Sequence, residues 1–220
     1  MAGGWPCTWP GNYPGQVAAR SNYVRSLYSF MDLIVRDRNS DKGELSLDSS
    51  FGMDMENIRC ASKTVIVGVG EYKTSTHPGE VLVTYSLGYC LGVSAYDPKA
   101  QVGGLLHFML PDSRINPAKA QEQPAMFADT GMAVFLNEMF TLGATRKNLS
   151  LKLAGASKVL KDGEFFDIGR RNLLMAKKLL WKNSLAVLAE ETGGDVSRTV
   201  RLRMEDGKTT VKDAAGEHEL

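Results

Sequence analysis

The segment CLGVSAYDPKAQVGGLLH, residues 90–107, constrains this chain more than any other stretch. Two short apolar runs flank Asp97-Pro98-Lys99-Ala100, where proline presets φ and aspartate bonds its own backbone, so the segment predicts a β-hairpin. Facing residues in an antiparallel hairpin have numbers with a constant sum. A turn centred between Pro98 and Lys99 makes that sum 197 and sets Cys90 opposite His107. One further loop residue sets Cys90 opposite Phe108, still beside His107. Directly opposed side chains have Cβ atoms roughly 5 Å apart, close enough for an imidazole to share a proton with a thiol. A thiol paired with an imidazole is the minimal apparatus for nucleophilic acyl chemistry. The hairpin fits equally an inert sheet cysteine beside a hydrogen-bonded histidine.

Composition narrows the class. Of the 220 residues 43% are apolar, enough for a sizeable core, and 26 basic against 25 acidic side chains leave a net charge of +1. That balance argues against a nucleic-acid binder working by phosphate neutralisation; the basic clusters, Lys177-Lys178 and Arg198, Arg201 and Arg203, are small. Cys7, Cys60 and Cys90 are too few for a disulfide scaffold, and with His77, His107 and His218 they give no metal-ligand spacing. Neither a metal nor a cofactor is expected. No run of 18 apolar residues occurs and the N-terminus lacks a signal-peptide pattern, so the expectation is a cytoplasmic protein without an integral membrane segment.

The chain changes character near residue 60. MAGGWPCTWPGNYPG reads as irregular, and Val24, Leu27, Tyr28, Met31, Ile34 and Val35 recur at helical spacing, predicting an amphipathic helix over 17–38 followed by a polar linker. Residues 1–60 are thus an extension, 61–213 the main domain, and 214–220 a flexible tail. In the main domain TVIVGVGEY reads as one strand, His77-Pro78-Gly79 as a turn and VLVT as a second strand. A helix is expected from Pro124 to Leu142, ended by Gly143. A strand follows at 149–153, then a helix starting near Asp167 with Ile168, Leu173, Leu174, Leu180 and Trp181 inward, a strand at 185–189, and an edge hairpin turning at Asp206-Gly207. Strands predominate without regular strand–helix alternation, so the class is α+β. Gly68 and Gly70 lack the third glycine that would open a dinucleotide-binding helix.

Cys90 emerges where a flexible Leu87-Gly88-Tyr89 turn enters a strand, a position that leaves sulfur at a sheet rim with backbone N–H groups nearby as an oxyanion hole. His107 would act as its ion-pair partner and return the proton to the leaving group. Thr84, at the end of the preceding strand, carries a hydroxyl near the same rim and is a candidate to orient the imidazole, or else simply a strand residue. Asp112 and Asp129 are acidic alternatives with ready structural roles in a turn and on a helix face.

These residues resemble the CheD family of bacterial chemoreceptor glutamine deamidases. The likeness runs through Thr84-Tyr85-Ser86-Leu87-Gly88-Tyr89-Cys90, Asp97-Pro98 and His107-Phe108-Met109-Leu110-Pro111. It continues through VGVGEY at 67–72, His77-Pro78-Gly79, Phe127-Ala128-Asp129-Thr130, Ala154-Gly155-Ala156, Ile168-Gly169-Arg170-Arg171-Asn172 and Thr192-Gly193-Gly194 with Arg198, in order over about residues 64–212. The resemblance implies a single α+β domain of layered mixed sheets with two long helices. It implies conversion of glutamines of methyl-accepting chemotaxis receptors to glutamates, with receptor methylester hydrolysis as a second activity. Its catalytic cysteine, histidine and threonine map onto Cys90, His107 and Thr84, with Gly88 and Tyr89 as oxyanion and pocket candidates. A CheC-like phosphatase is the further partner it implies. Tyr89 departs from the pattern, standing where a small serine is usual; Ala154 replaces a common glycine and Glu191 an aspartate. The competing reading is a weakly catalytic or non-catalytic regulatory module that binds receptors or such a phosphatase.

Overall fold

The computed structural model describes residues 62–158 and 167–220. The expected helix at 17–38 and the rest of the 1–60 extension, Cys7 and Cys60 included, lie outside the described residues. The element order is β1 (Lys63–Ile66), β2 (Glu71–Ser75), β3 (Glu80–Leu87), β4 (Leu91–Asp97), β5 (Val102–Phe108), α1 (Pro117–Glu122), α2 (Ala128–Thr141), β6 (Ser150–Gly155), α3 (Ile168–Lys182), β7 (Val187–Thr192), β8 (Arg198–Arg203), β9 (Thr209–Lys212) and β10 (Glu217–Glu219). The class is α+β. The strands form two five-stranded mixed sheets, ordered β1-β3-β8-β9-β10 and β2-β5-β4-β6-β7.

The second sheet is the middle layer. All seven residues of β4 and all seven of β5 are buried, because both faces of the hairpin are covered. Leu91, Val93, Ala95, Leu106 and Phe108 pack with Met132, Phe135, Leu136 and Met139 of α2 and with Ala176 and Leu180 of α3. On the other face Tyr96 and Leu105 meet Leu82, Val200, Leu202 and Met204 of the first sheet. Each fully buried large side chain contributes about 1.5–3 kcal/mol, so the hairpin is strongly held.

Several expectations shift. TVIVGVGEY is not one strand: β1 pairs parallel with β3 in the first sheet and β2 antiparallel with β5 in the second. Gly70, at φ +71°, makes the turn between them, and its N–H donates to the His107 carbonyl at 2.7 Å. The helix expected from Pro124 begins as a single 3-10 turn, Pro124–Met126, and becomes α-helical at Ala128. α3 starts as expected, with the Asp167 side chain accepting from the Arg170 N–H. Its buried face, however, is Gly169, Asn172, Ala176 and Leu180. Leu174 and Trp181 are 56% and 79% exposed, because small residues, rather than the largest apolar ones, let the helix approach the sheet. The strand expected at 185–189 runs two to three residues later, as β7. β8 is no edge strand, lying between β3 and β9, and the tail expected to be flexible supplies β10, paired with β9.

Candidate functional site

Thr84 and His107 meet between the two sheets. Thr84 is the last regular residue of β3 before a bulge, where Ser86 takes φ 57° and Tyr85 and Ser86 turn outward. His107 lies on β5, between Glu71 of β2 and Gly92 of β4, on the same face as Leu105. Both side chains are fully buried. The Thr84 hydroxyl donates to the Val67 carbonyl at 2.8 Å. Its single proton is therefore committed, and in its 2.7 Å contact with His107 Nδ1 it must accept. Nδ1 thus carries the imidazole proton, and Nε2 presents a lone pair. Nε2 is buried and makes no hydrogen bond among the described residues. Burial lowers the His107 pKa from 6.5 to about 4, so the ring is neutral at pH 7.

Cys90 lies on the same side. The observed register pairs Leu91 with Phe108 and Gly92 with His107, a sum of 199, because the loop runs over four residues, Pro98–Gln101. Neither 197 nor 198 is correct. Cys90 directly precedes Leu91, where the ladder ends, and strand alternation turns its side chain to the face of Gly92 and His107. Cys90 packs at the margin of the core between the sheets, with Val65. Burial pushes its thiol pKa up, partly countered by its own backbone N–H, which stabilises the thiolate. The expected ion pair is accordingly replaced by a neutral thiol and a neutral imidazole.

The segment from Gly88 to Cys90 is held through its carbonyls. Gly88 O accepts from the Ser157 N–H and Cys90 O from the Ala156 N–H, both at 2.7 Å. Tyr89 O accepts from Asn172 Nδ2 at 3.0 Å, and the same nitrogen donates to Met109 O at 2.8 Å. Gly155, at φ +110°, brings the chain so close to the Cys90 carbonyl that a Cβ there would lie 2.5 Å from it. Of the expected oxyanion donors, Gly88 N–H is engaged with Ser86 O at 2.9 Å. Beside Cys90 opens a cleft of about 410 Å3, lined by Ser86, Gly88, Tyr89, Met109, Leu110 and Ile168. Tyr89 is half-buried there. The cleft is mostly apolar, as a pocket for the methylenes of a long side chain would be.

Asp112 and Asp129 have structural partners. Asp112 caps the turn at Ser113–Ile115 and pairs with Arg114, and Asp129 accepts from the Ser113 N–H and hydroxyl. Glu191 accepts from Arg198 and pairs with His218, while Arg198 donates to Ser157 Oγ. Among the described residues no cluster of His, Cys, Asp and Glu is arranged to hold a metal ion. Sequence reasoning missed Val67, whose carbonyl fixes the threonine proton, and Asn172. The latter's signal was a lone amide on the small-residue face of an otherwise apolar and basic helix.

The family model described as "CheD chemotactic sensory transduction" matches residues 109–213, a span that begins after Thr84, Cys90 and His107. A probable chemoreceptor glutamine deamidase CheD 1 of Syntrophus aciditrophicus is 46% identical over 152 residues, covering 69% of this chain and 95% of the relative. Its counterpart in Solibacter usitatus is 44% identical over 156 residues, 71% and 92% of the two chains. The chemoreceptor glutamine deamidase CheD of Thermotoga maritima is 36% identical over 155 residues, 70% and 95% of the two.

Proposed function

The chain belongs to the CheD family of chemoreceptor glutamine deamidases, and from that premise we propose that it deamidates receptor glutamines with Cys90 as the nucleophile. The observation that carries the reading is His107, buried, neutral and locked by Thr84 with its Nε2 lone pair unpaired. Nε2 takes the thiol proton as Cys90 Sγ bonds to the glutamine Cδ, and the carbonyl electron pair moves onto oxygen. The Cys90 N–H, beside its own sulfur, is a donor for that oxyanion. Collapse of the tetrahedral adduct breaks the C–N bond, and the leaving nitrogen receives the proton from Nε2 and departs as ammonia. Water, deprotonated by Nε2, then attacks the thioester. Sγ leaves and recovers its proton, and the net reaction is glutamine plus water to glutamate plus ammonia.

The same acyl chemistry accepts a methyl ester, with methanol in place of ammonia, so receptor methylester hydrolysis is part of the proposal. Receptor cytoplasmic domains are the substrate partners, a CheC-like phosphatase a regulatory partner, and the cytoplasm the compartment. Among the described residues no helix is long and apolar enough to cross a membrane.

The test is mass spectrometry of receptor cytoplasmic domains co-expressed with wild type or with Cys90→Ala. Wild type is expected to add about 1 Da at particular glutamines, as amide becomes acid through a thioester, and the variant none. Conversion of the same glutamines by folded Cys90→Ala overturns the assignment of the nucleophile.

A further inference from the structure

The proposed mechanism leaves Asn172 without a part, although it is the fully buried polar side chain nearest in hydrogen bonding to the nucleophile loop. Both partners of its amide nitrogen are carbonyl oxygens, Tyr89 O and Met109 O, which fixes the orientation of the group. Its Oδ1 is buried and has no hydrogen-bond partner among the described residues. An orphaned buried acceptor destabilises the fold, and such features are found where function fixes a geometry. The two carbonyls stand just past the last rung of the β4–β5 ladder, Leu91 with Phe108. There the strands part. Cys90 O is captured by the Ala156 N–H, while the N–H groups of Met109 and Leu110 both turn to Met126 O at 3.0 Å. Asn172 fills the gap as a substitute rung between the diverging chains.

We propose that Asn172 is a positioning residue that sets the oxyanion-binding face of the nucleophile loop. In a trans peptide the C=O and the following N–H point in opposite directions. Holding Tyr89 O against the Asn172 amide therefore aims the Cys90 N–H away from α3's asparagine and toward its own sulfur. There an oxyanion forms on the carbon that Sγ attacks. The proposal rests on Cys90 as nucleophile, and a failure of that reading shows separately, as deamidation by Cys90→Ala.

The experiment compares two reactions of Asn172→Ala: receptor deamidation, which forms an oxyanion, and alkylation of Cys90 by iodoacetamide, which does not. Expected are a kcat for deamidation about a hundredfold lower with KM within about threefold, the size of losing one oxyanion donor. Alkylation should slow by no more than about tenfold, because the Cys90 N–H also stabilises the thiolate while the base is untouched. Asn172→Ser, keeping one donor, should recover part of kcat. A kcat within about threefold of wild type, or a parallel collapse of deamidation and alkylation, overturns the proposal. Should the variants fail to fold, wild-type NMR decides. Couplings from the Asn172 side-chain amide protons to the Tyr89 and Met109 carbonyl carbons support the clamp, and free solvent exchange without such couplings overturns it.

Discussion

The two halves of the site are built differently. The proposed base half, Thr84 and His107, sits on regular strands from opposite sheets, fully buried, with its hydrogen bonds running to Val67 and to each other. The proposed nucleophile half, Gly88 to Cys90, is a bend between β3 and β4 whose three carbonyls are gripped by residues 66–83 positions further along the chain. The first half is fixed by sheet packing, which buries large apolar side chains around it. The second is fixed by main-chain capture, which depends on three particular hydrogen bonds. A base that must keep one tautomer needs an immobile setting closed to bulk water. A nucleophile that must meet substrate needs exposure, so it is held from behind through atoms that take no part in the reaction.

The contrast predicts where pH acts. His107 titrates near 6.5 when unfolded and at about 4 when folded. Between those values the unfolded chain binds a proton that the folded one does not, so unfolding takes up a proton and stability falls as pH drops. The contribution is fully present above about pH 6.5 and fully lost below about pH 4. At roughly 1.4 kcal/mol per pH unit the loss is about 3 kcal/mol. Urea titrations of wild type and His107→Gln from pH 7 to 4 measure it as the difference between the two curves. Parallel curves would show that the base half is open to water, and the comparison would lose its basis.

Thr84→Val tests the same half through its hydrogen bonds. The isosteric change leaves the Val67 carbonyl and the Nδ1–H both buried without partners, which costs about 2 kcal/mol. It also frees the imidazole to take the other tautomer, in which Nε2 carries the proton and no longer serves as base. A kcat lowered roughly a hundredfold is expected, with alkylation of Cys90 also slowed, since here the base itself is lost. Thr84→Ser should restore most of both. Deamidation kinetics with full activity in Thr84→Val would remove threonine from the mechanism.

How much of this was legible in the sequence follows from what each half depends on. The hairpin and its two reactive residues were readable, because Asp97-Pro98 marks the turn and the apolar runs mark the strands. The register was not: Gln101 adopts φ 53°, a left-handed conformation that nothing in its side chain announces, and lengthens the loop. The error was a shift of two in the pairing sum relative to 197, and the side-chain period of a strand is two. Cys90 therefore stayed on the face of His107. A shift of one would have put it on the helix side. The division of TVIVGVGEY was hidden because an apolar run reads alike whether its residues join one sheet or two. Asn172 escaped because periodicity weights large apolar residues. In α3 two of those residues, Leu174 and Trp181, face outward, while the buried face is Gly169, Asn172 and Ala176 with Leu180.

The smallest effect is expected where a side chain lies beside a main-chain grip without supplying it. Ser157 holds Gly88 O through its N–H, while its hydroxyl donates to Gly193 O at 3.1 Å and accepts from Arg198 Nη1 at 2.6 Å. Ser157→Ala removes the hydroxyl and keeps the N–H. Arg198 retains Gly193 O and Glu191, so the cost is about 1 kcal/mol, read as a small drop in Tm. Deamidation should stay within about twofold of wild type. A tenfold fall in kcat at that modest cost in stability would show that the loop is held through the Glu191–Arg198–Ser157 side chains. The nucleophile half would then resemble the base half, fixed by side-chain partners, and main-chain capture would not be what sets the two apart.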